Sequence, residues 1–147
     1  MIVETHSIGY RNVASKLYNF FPDEIDVAIN DFVGILTRHG YNPTGTIFFS
    51  IISDPTAEVM TAEIFLPILE NNFKKPTEEE VSFNSYFLIK PMLMTRIMDN
   101  FDEQSQVKYW ELIHYIQRKN LIQKTPVFAE FKRSYKDRSY VEMSVGI

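Results

Sequence analysis

The feature that most constrains this chain is a helical stripe that occurs twice at a fixed spacing. Ile25, Ile29, Phe32, Val33 and Leu36 fall at i, i+4, i+7, i+8 and i+11, which places them on one face of an α-helix. A shift of 80 residues carries Ile29, Phe32, Val33 and Leu36 onto Tyr109, Leu112, Ile113 and Ile116, which form the same stripe. Pro22, Asp23 and Glu24 mark the start of the first helix, and Arg38, His39 and Gly40 mark its end. Asp102 is the expected N-cap of the second helix, with Arg118 and Lys119 in its last turn.

The same shift aligns the flanking strands. Tyr41 falls on Leu121, and Ile47-Phe48 falls on Val127-Phe128. With a one-residue gap, AEIFLPI (62–68) lies over VEMSVGI (141–147), so Glu63 lies over Glu142. Upstream, ETHSIGYRNVASK aligns with NSYFLIKPMLMTR, both of strand character. Each half therefore reads strand, helix, strand, strand, and what repeats is the pattern rather than the residues. The expectation is one α+β domain over residues 1–147, with duplicated halves at about 1–70 and 84–147 and a polar connection at about 71–83 that carries a proline and the run EEE.

Alternation then assigns faces. In YVEMSVGI, Val141, Met143, Val145 and Ile147 share one side, and Tyr140, Glu142, Ser144 and Gly146 the other. In the earlier strand Ala62, Ile64, Leu66 and Ile68 oppose Thr61, Glu63, Phe65 and Pro67. If the helices cover the apolar sides, both glutamates project from the opposite face. That face is not purely polar, because TIFFSIIS (46–53) and KPMLMTRIM (90–98) are apolar on both sides. A sheet of this kind needs a second cover: another subunit, as in a homodimer, a loop, or a ligand.

Composition excludes several function classes. With 45% apolar and 23% charged residues in 147, the chain is globular and the size of one ordinary domain. It has no cysteine, so it carries no disulfide, thiol nucleophile or cysteine metal site, which favours a cytoplasmic location. Neither a signal peptide nor an apolar run long enough for a membrane span is visible. The net charge of −4 hides an asymmetry: residues 1–73 hold 3 basic and 9 acidic side chains, and residues 74–147 hold 12 and 10. The basic excess gathers in Arg118, Lys119, Lys124, Lys132, Arg133, Lys136 and Arg138. No helix-turn-helix or glycine-rich loop accompanies it, and the acidic half would repel a polyanion, so no nucleic-acid partner is expected.

The order of elements and the two matched strands resemble the GyrI-like domains. These are small-molecule-binding domains attached to some multidrug-responsive bacterial transcription regulators, and they also occur alone. The resemblance covers nearly the whole chain and rests on topology and on the strands AEIFLPI and YVEMSVGI. It implies two halves about a pseudo-two-fold axis, with antiparallel sheets lining a central groove. It also implies a groove glutamate in the last strand, here Glu142, that contacts cationic lipophilic ligands beside aromatic side chains. Where family members often carry a glycine-containing turn after the first strand, ASKLYNFFPDE leads directly into the helix. No DNA-binding segment flanks the domain, so a stand-alone member is expected.

The candidate ligand-binding residues are therefore Glu142 as charged anchor, Glu63 as its counterpart, and Tyr140, Tyr10 and Phe49 as aromatic lining. A carboxylate among ring faces suits a delocalised cation, and such faces add about 0.5–2 kcal/mol of cation–π attraction. The expected partner is a small hydrophobic or cationic molecule, with no cofactor. A protein segment held by strand addition is the alternative occupant. A hydrolase using Glu142 is a third reading, and catalysis is the less favoured one. His6, His39 and His114 show no i, i+4 pair and no acidic neighbour at ligand spacing, so no metal site is expected. The sequence also lacks G-x-S-x-G, and NPTG (42–45) reads as a turn rather than a phosphate loop.

Overall fold

Both helical stripes form helices, and each is preceded by a long strand and followed by two shorter ones. A computed structural model describes residues 1–74, 79–134, 136 and 138–147; residues 75–78 of the expected connection, with the first glutamate of EEE, lie outside them. The elements are β1 (Val3–Phe20), a 3-10 turn at Pro22–Glu24, α1 (Ile25–Arg38), β2 (Ile47–Ile51), β3 (Met60–Pro67), β4 (Ser82–Ile97), α2 (Phe101–Arg118), β5 (Val127–Arg133) and β6 (Ser139–Gly146). Pairings of β3 with β1 and β2, and of β6 with β4 and β5, are all antiparallel. The architecture is α+β, as expected.

Two compact units emerge, Gly9–Leu88 and Met1–Ile8 together with Ile89–Ile147. Their boundaries fall inside the long strands β1 and β4 rather than in the polar connection. Residues at the start of β1 thus join the unit built mostly from the second half of the sequence.

In the unit Gly9–Leu88, β3 lies between β1 and β2. Tyr18 pairs with Ala62, Lys16 with Ile64 and Phe49 with Ile64, so these side chains share a face. Helix α1 covers that face: the Tyr18 hydroxyl donates to Asp31 Oδ2 at 2.7 Å, and its ring lies 6.2 Å from that of Phe32. Phe32 and Leu36 of the stripe are buried, as are Ile35 of the same helix and Ala62, Ile64 and Leu66 of β3. The opposite face carries Ser15 and Leu17 of β1, Glu63 and Phe65 of β3, and Phe48 and Ser50 of β2. Phe48 is wholly buried, its ring 5.1 Å from Tyr10, 4.8 Å from Phe65 and 5.4 Å from Phe87. Phe49, expected to line the ligand face, instead points to the α1 side. One step in register separates the two phenylalanines, and one step reverses the face.

In the other unit β6 lies between β4 and β5. Val141, Met143 and Val145 share a face with Ile97, Thr95 and Leu93 of β4 and with Phe131, Ala129 and Val127 of β5. Helix α2 packs on β6 and buries Leu112 and Ile116. Its N-cap is Asn100, not Asp102. Asn100 sits in the left-handed region at φ 50° and its carbonyl accepts the Gln104 N–H at 2.8 Å, while Asp102 falls within the first turn. Asparagine tolerates this conformation far better than most residues, which lets the chain turn from β4 directly into the helix.

The end of β6 shows why a glycine closes the chain's last strand. A Cβ on Gly146 would lie 2.8 Å from Thr125 Cγ2 and 3.1 Å from Ile89 Cγ2. Thr125 cannot simply move away, because its Oγ1 accepts the Gly146 N–H at 2.8 Å. Gly146→Ala is expected to destabilise the protein by about 1–3 kcal/mol through overpacking. Urea unfolding of the variant checks this, and an unchanged midpoint would show that the contact yields freely.

Candidate functional site

The face of β6 opposite α2 carries a cluster of charged side chains. Arg96 of β4 and Glu130 of β5 both pair with Glu142, and Lys132 pairs with Tyr140, so all five side chains share one face. Directly opposed residues on neighbouring strands have Cβ atoms about 5 Å apart, and like charges there repel. Glu130 is 2% and Glu142 5% exposed, so water does little to screen that repulsion.

Three groups compensate it. Arg96 Nε donates to Glu142 Oε2 at 2.8 Å. Lys132 Nζ lies 3.3 Å from Glu130 Oε2 and 3.9 Å from Glu142 Oε1, bridging the two carboxylates. His6, from the start of β1, places Nε2 3.0 Å from Glu130 Oε1. Burial pushes the Glu130 carboxyl up, but the His6 bond and the Lys132 charge outweigh it and hold the group below the usual carboxylate range. The hydrogen bond to Glu142 in turn raises the Arg96 guanidinium. Arg96 Cζ also lies 5.7 Å from the centre of the Tyr140 ring. Next along the face, Ser144 is fully buried, and its Oγ has no hydrogen-bond partner among the described residues.

Arg96, Glu130, Lys132 and His6 were all missed as site residues from sequence, and His6 is the most distant of them. It lies 124 residues from Glu130, and no local spacing links them. A long first strand that enters the second unit is what brings it there. His6, Glu130 and Glu142 each offer one ligand atom, all within 4.8 Å of one another, so they are the set that a metal ion could take. Lys132 already bridges the two carboxylates, however, and with Arg96 it balances both negative charges. A divalent ion would have to displace that ammonium.

The other expected residues fall in the unit Gly9–Leu88. Glu63 lies on the face opposite α1, as alternation predicted, but its cross-strand neighbours are Leu17 and Ser50 where Glu142 has Arg96 and Glu130. It lines a cleft of about 280 Å³ with Ser15, Lys16, Leu17, Glu80 and Ser82. Tyr10 joins the ring cluster of Phe48, and Phe49 pairs with Ile64 on the α1 face. Of the aromatic candidates, only Tyr140 stands beside the charged cluster of Glu142 in its own unit.

Comparison with known proteins places this geometry in a family and a fold. No curated protein is significantly similar in sequence. Among solved structures, the crystal structure of the EcmrR C-terminal domain has a TM-score of 0.72, with 99% of this chain and 96% of that one covered at 10% identity. The cryo-EM structure of the EcmrR–DNA complex has a TM-score of 0.73, with 99% of this chain covered at 10% identity; the match spans 56% of that longer chain. At such identity the likeness is one of fold, and it agrees with the fold that the GyrI-like resemblance implies. A family model described as a domain of unknown function, DUF5085, matches residues 9–147, and the chain belongs to that family.

Proposed function

We propose that this chain is a small-molecule-binding domain whose ligand meets the sheet face carrying Glu142 and Tyr140. The observation that carries the reading is the buried pair Glu130 and Glu142, opposed on neighbouring strands and held by His6, Arg96 and Lys132. Such a network is a poor source of stability, because apolar packing of the same volume does as well or better. A binding role gives it a purpose. The fold shared with the EcmrR C-terminal domain supports the same reading, as does the GyrI-like resemblance, in which the residue matching Glu142 faces the ligand. Glu63 and Tyr10, on the face of the unit Gly9–Leu88 opposite α1, are proposed as ligand contacts of that unit. The ligand is held rather than transformed, and the loaded domain presents or sequesters it.

A thermal-shift screen of small lipophilic molecules spanning cations, neutrals and anions tests this. A ligand at 100 times its dissociation constant should add about 2.7 kcal/mol, several degrees for a chain of this length. Hits are expected to respond to Glu142→Gln and to be recovered chemically unchanged. A screen without hits in every charge class would remove the small-molecule reading and leave a protein segment as the occupant to seek.

A further inference from the structure

We infer that the ligand of this face carries a negative charge, received by Arg96 and Lys132, and that Glu142 and Glu130 are the counter-ions that aim those two cations. This deepens the small-molecule reading and rests on it. It reverses the expectation that Glu142 anchors a cation.

What an arriving molecule can reach decides the sign. The side chain of Arg96 is 57% exposed and that of Lys132 32%, while those of Glu142 and Glu130 are 7% and 3%. The carboxylates are buried, and the cations paired with them are the accessible members of the cluster. A cationic ligand would have to expel Arg96 or Lys132 to reach them, exchanging one charge-assisted contact for another with little net gain. Among these four groups, two carboxylates face one guanidinium and one ammonium, so the cluster they form offers a cation no net negative charge.

Arg96 also has the geometry of an anion receptor. Its Nε is occupied by Glu142, and the Tyr140 ring lies 5.7 Å from Cζ, so the planar group is oriented from two sides. Its two Nη groups have no partner among the described residues. A fork held in this way matches a carboxylate bidentately, which a lysine cannot do. Tyr140 beside it offers aromatic surface to the body of the same molecule. The ligand class is therefore a lipophilic carboxylate or a similar organic anion.

A matched set of probes separates the possibilities: 1-naphthoate, 1-naphthylmethylammonium and 1-naphthalenemethanol, each titrated by thermal shift and isothermal calorimetry. The wild-type protein is expected to bind the naphthoate and to ignore the amine. Arg96→Lys, which keeps the charge but loses the fork, should bind the naphthoate about tenfold more weakly. Glu142→Gln, which removes the counter-ion that aims Arg96, should also weaken naphthoate binding and create no affinity for the amine. Preference for the amine, fading in Glu142→Gln, would overturn this inference while leaving the small-molecule reading intact. Equal binding of the alcohol and the naphthoate overturns it as well. Binding of none of the three removes both. The comparison of charge classes needs only the wild-type protein, so it stands whether or not a variant folds.

Discussion

Truncating Phe48 to alanine is expected to remove about 3–5 kcal/mol of stability and lower the melting temperature by on the order of 10 °C. The side chain is wholly buried, and its ring meets Tyr10, Phe65 and Phe87 at centroid separations of 5.1, 4.8 and 5.4 Å. Its plane lies within 2° of that of Phe65, so truncation removes a stacked partner as well as apolar area. Three rings fixed by backbone strands cannot close over the space, so a cavity term adds to the transfer term. Phe49→Ala is the internal control. Phe49 is half-buried on the α1 side and is expected to cost less than half as much. Chemical unfolding of the two variants compares them directly. Equal losses would mean that β2 is out of register by one residue, with the faces exchanged.

Lys132→Met is expected to destabilise the protein by about 2–3 kcal/mol at neutral pH, below the ~3–5 kcal/mol of a fully buried ion pair because the lysine is partly exposed. Without the ammonium, two buried carboxylates confront each other having lost the cation that bridges them. Adding Glu130→Gln should recover most of the loss, because the double variant has one buried carboxylate and the Arg96 partner that holds it. The dependence on pH follows from Glu130. Its carboxyl lies below the ordinary value of 4.5 in the folded protein, so its contribution is fully present above about 4.5 and is lost as pH falls through the folded value. Losing Lys132 weakens that depression. The gap between wild type and Lys132→Met should therefore be widest at neutral pH and narrow in acid. Urea unfolding at pH 7 and pH 4 measures it. A gap of constant size, with no recovery in the double variant, would show that the network carries no coupling.

The sequence by itself determined the elements, their order and which residues of the last strand share a face. Both helices, the strands around them and the projection of Glu63 and Glu142 from the face away from the apolar one follow from periodicity. The physical reason is that 3.6-residue and 2-residue repeats are local rules, readable wherever one side of an element is buried. The Asn100 cap was not legible, since two neighbouring residues both make good N-caps and only the chain's turn out of β4 chooses between them. The face of Phe49 depended on a register that alternation alone leaves free where both sides of β2 are apolar. Most of the site lay beyond sequence altogether. Pairing of β5 with β6 set Glu130 against Glu142, pairing of β4 with β6 brought Arg96 to the same place, and the start of β1 delivered His6. These contacts join residues 12, 46 and 124 positions apart, so no local pattern encodes them. Sequence supplied the carboxylate, and tertiary structure supplied the cations that pair with it.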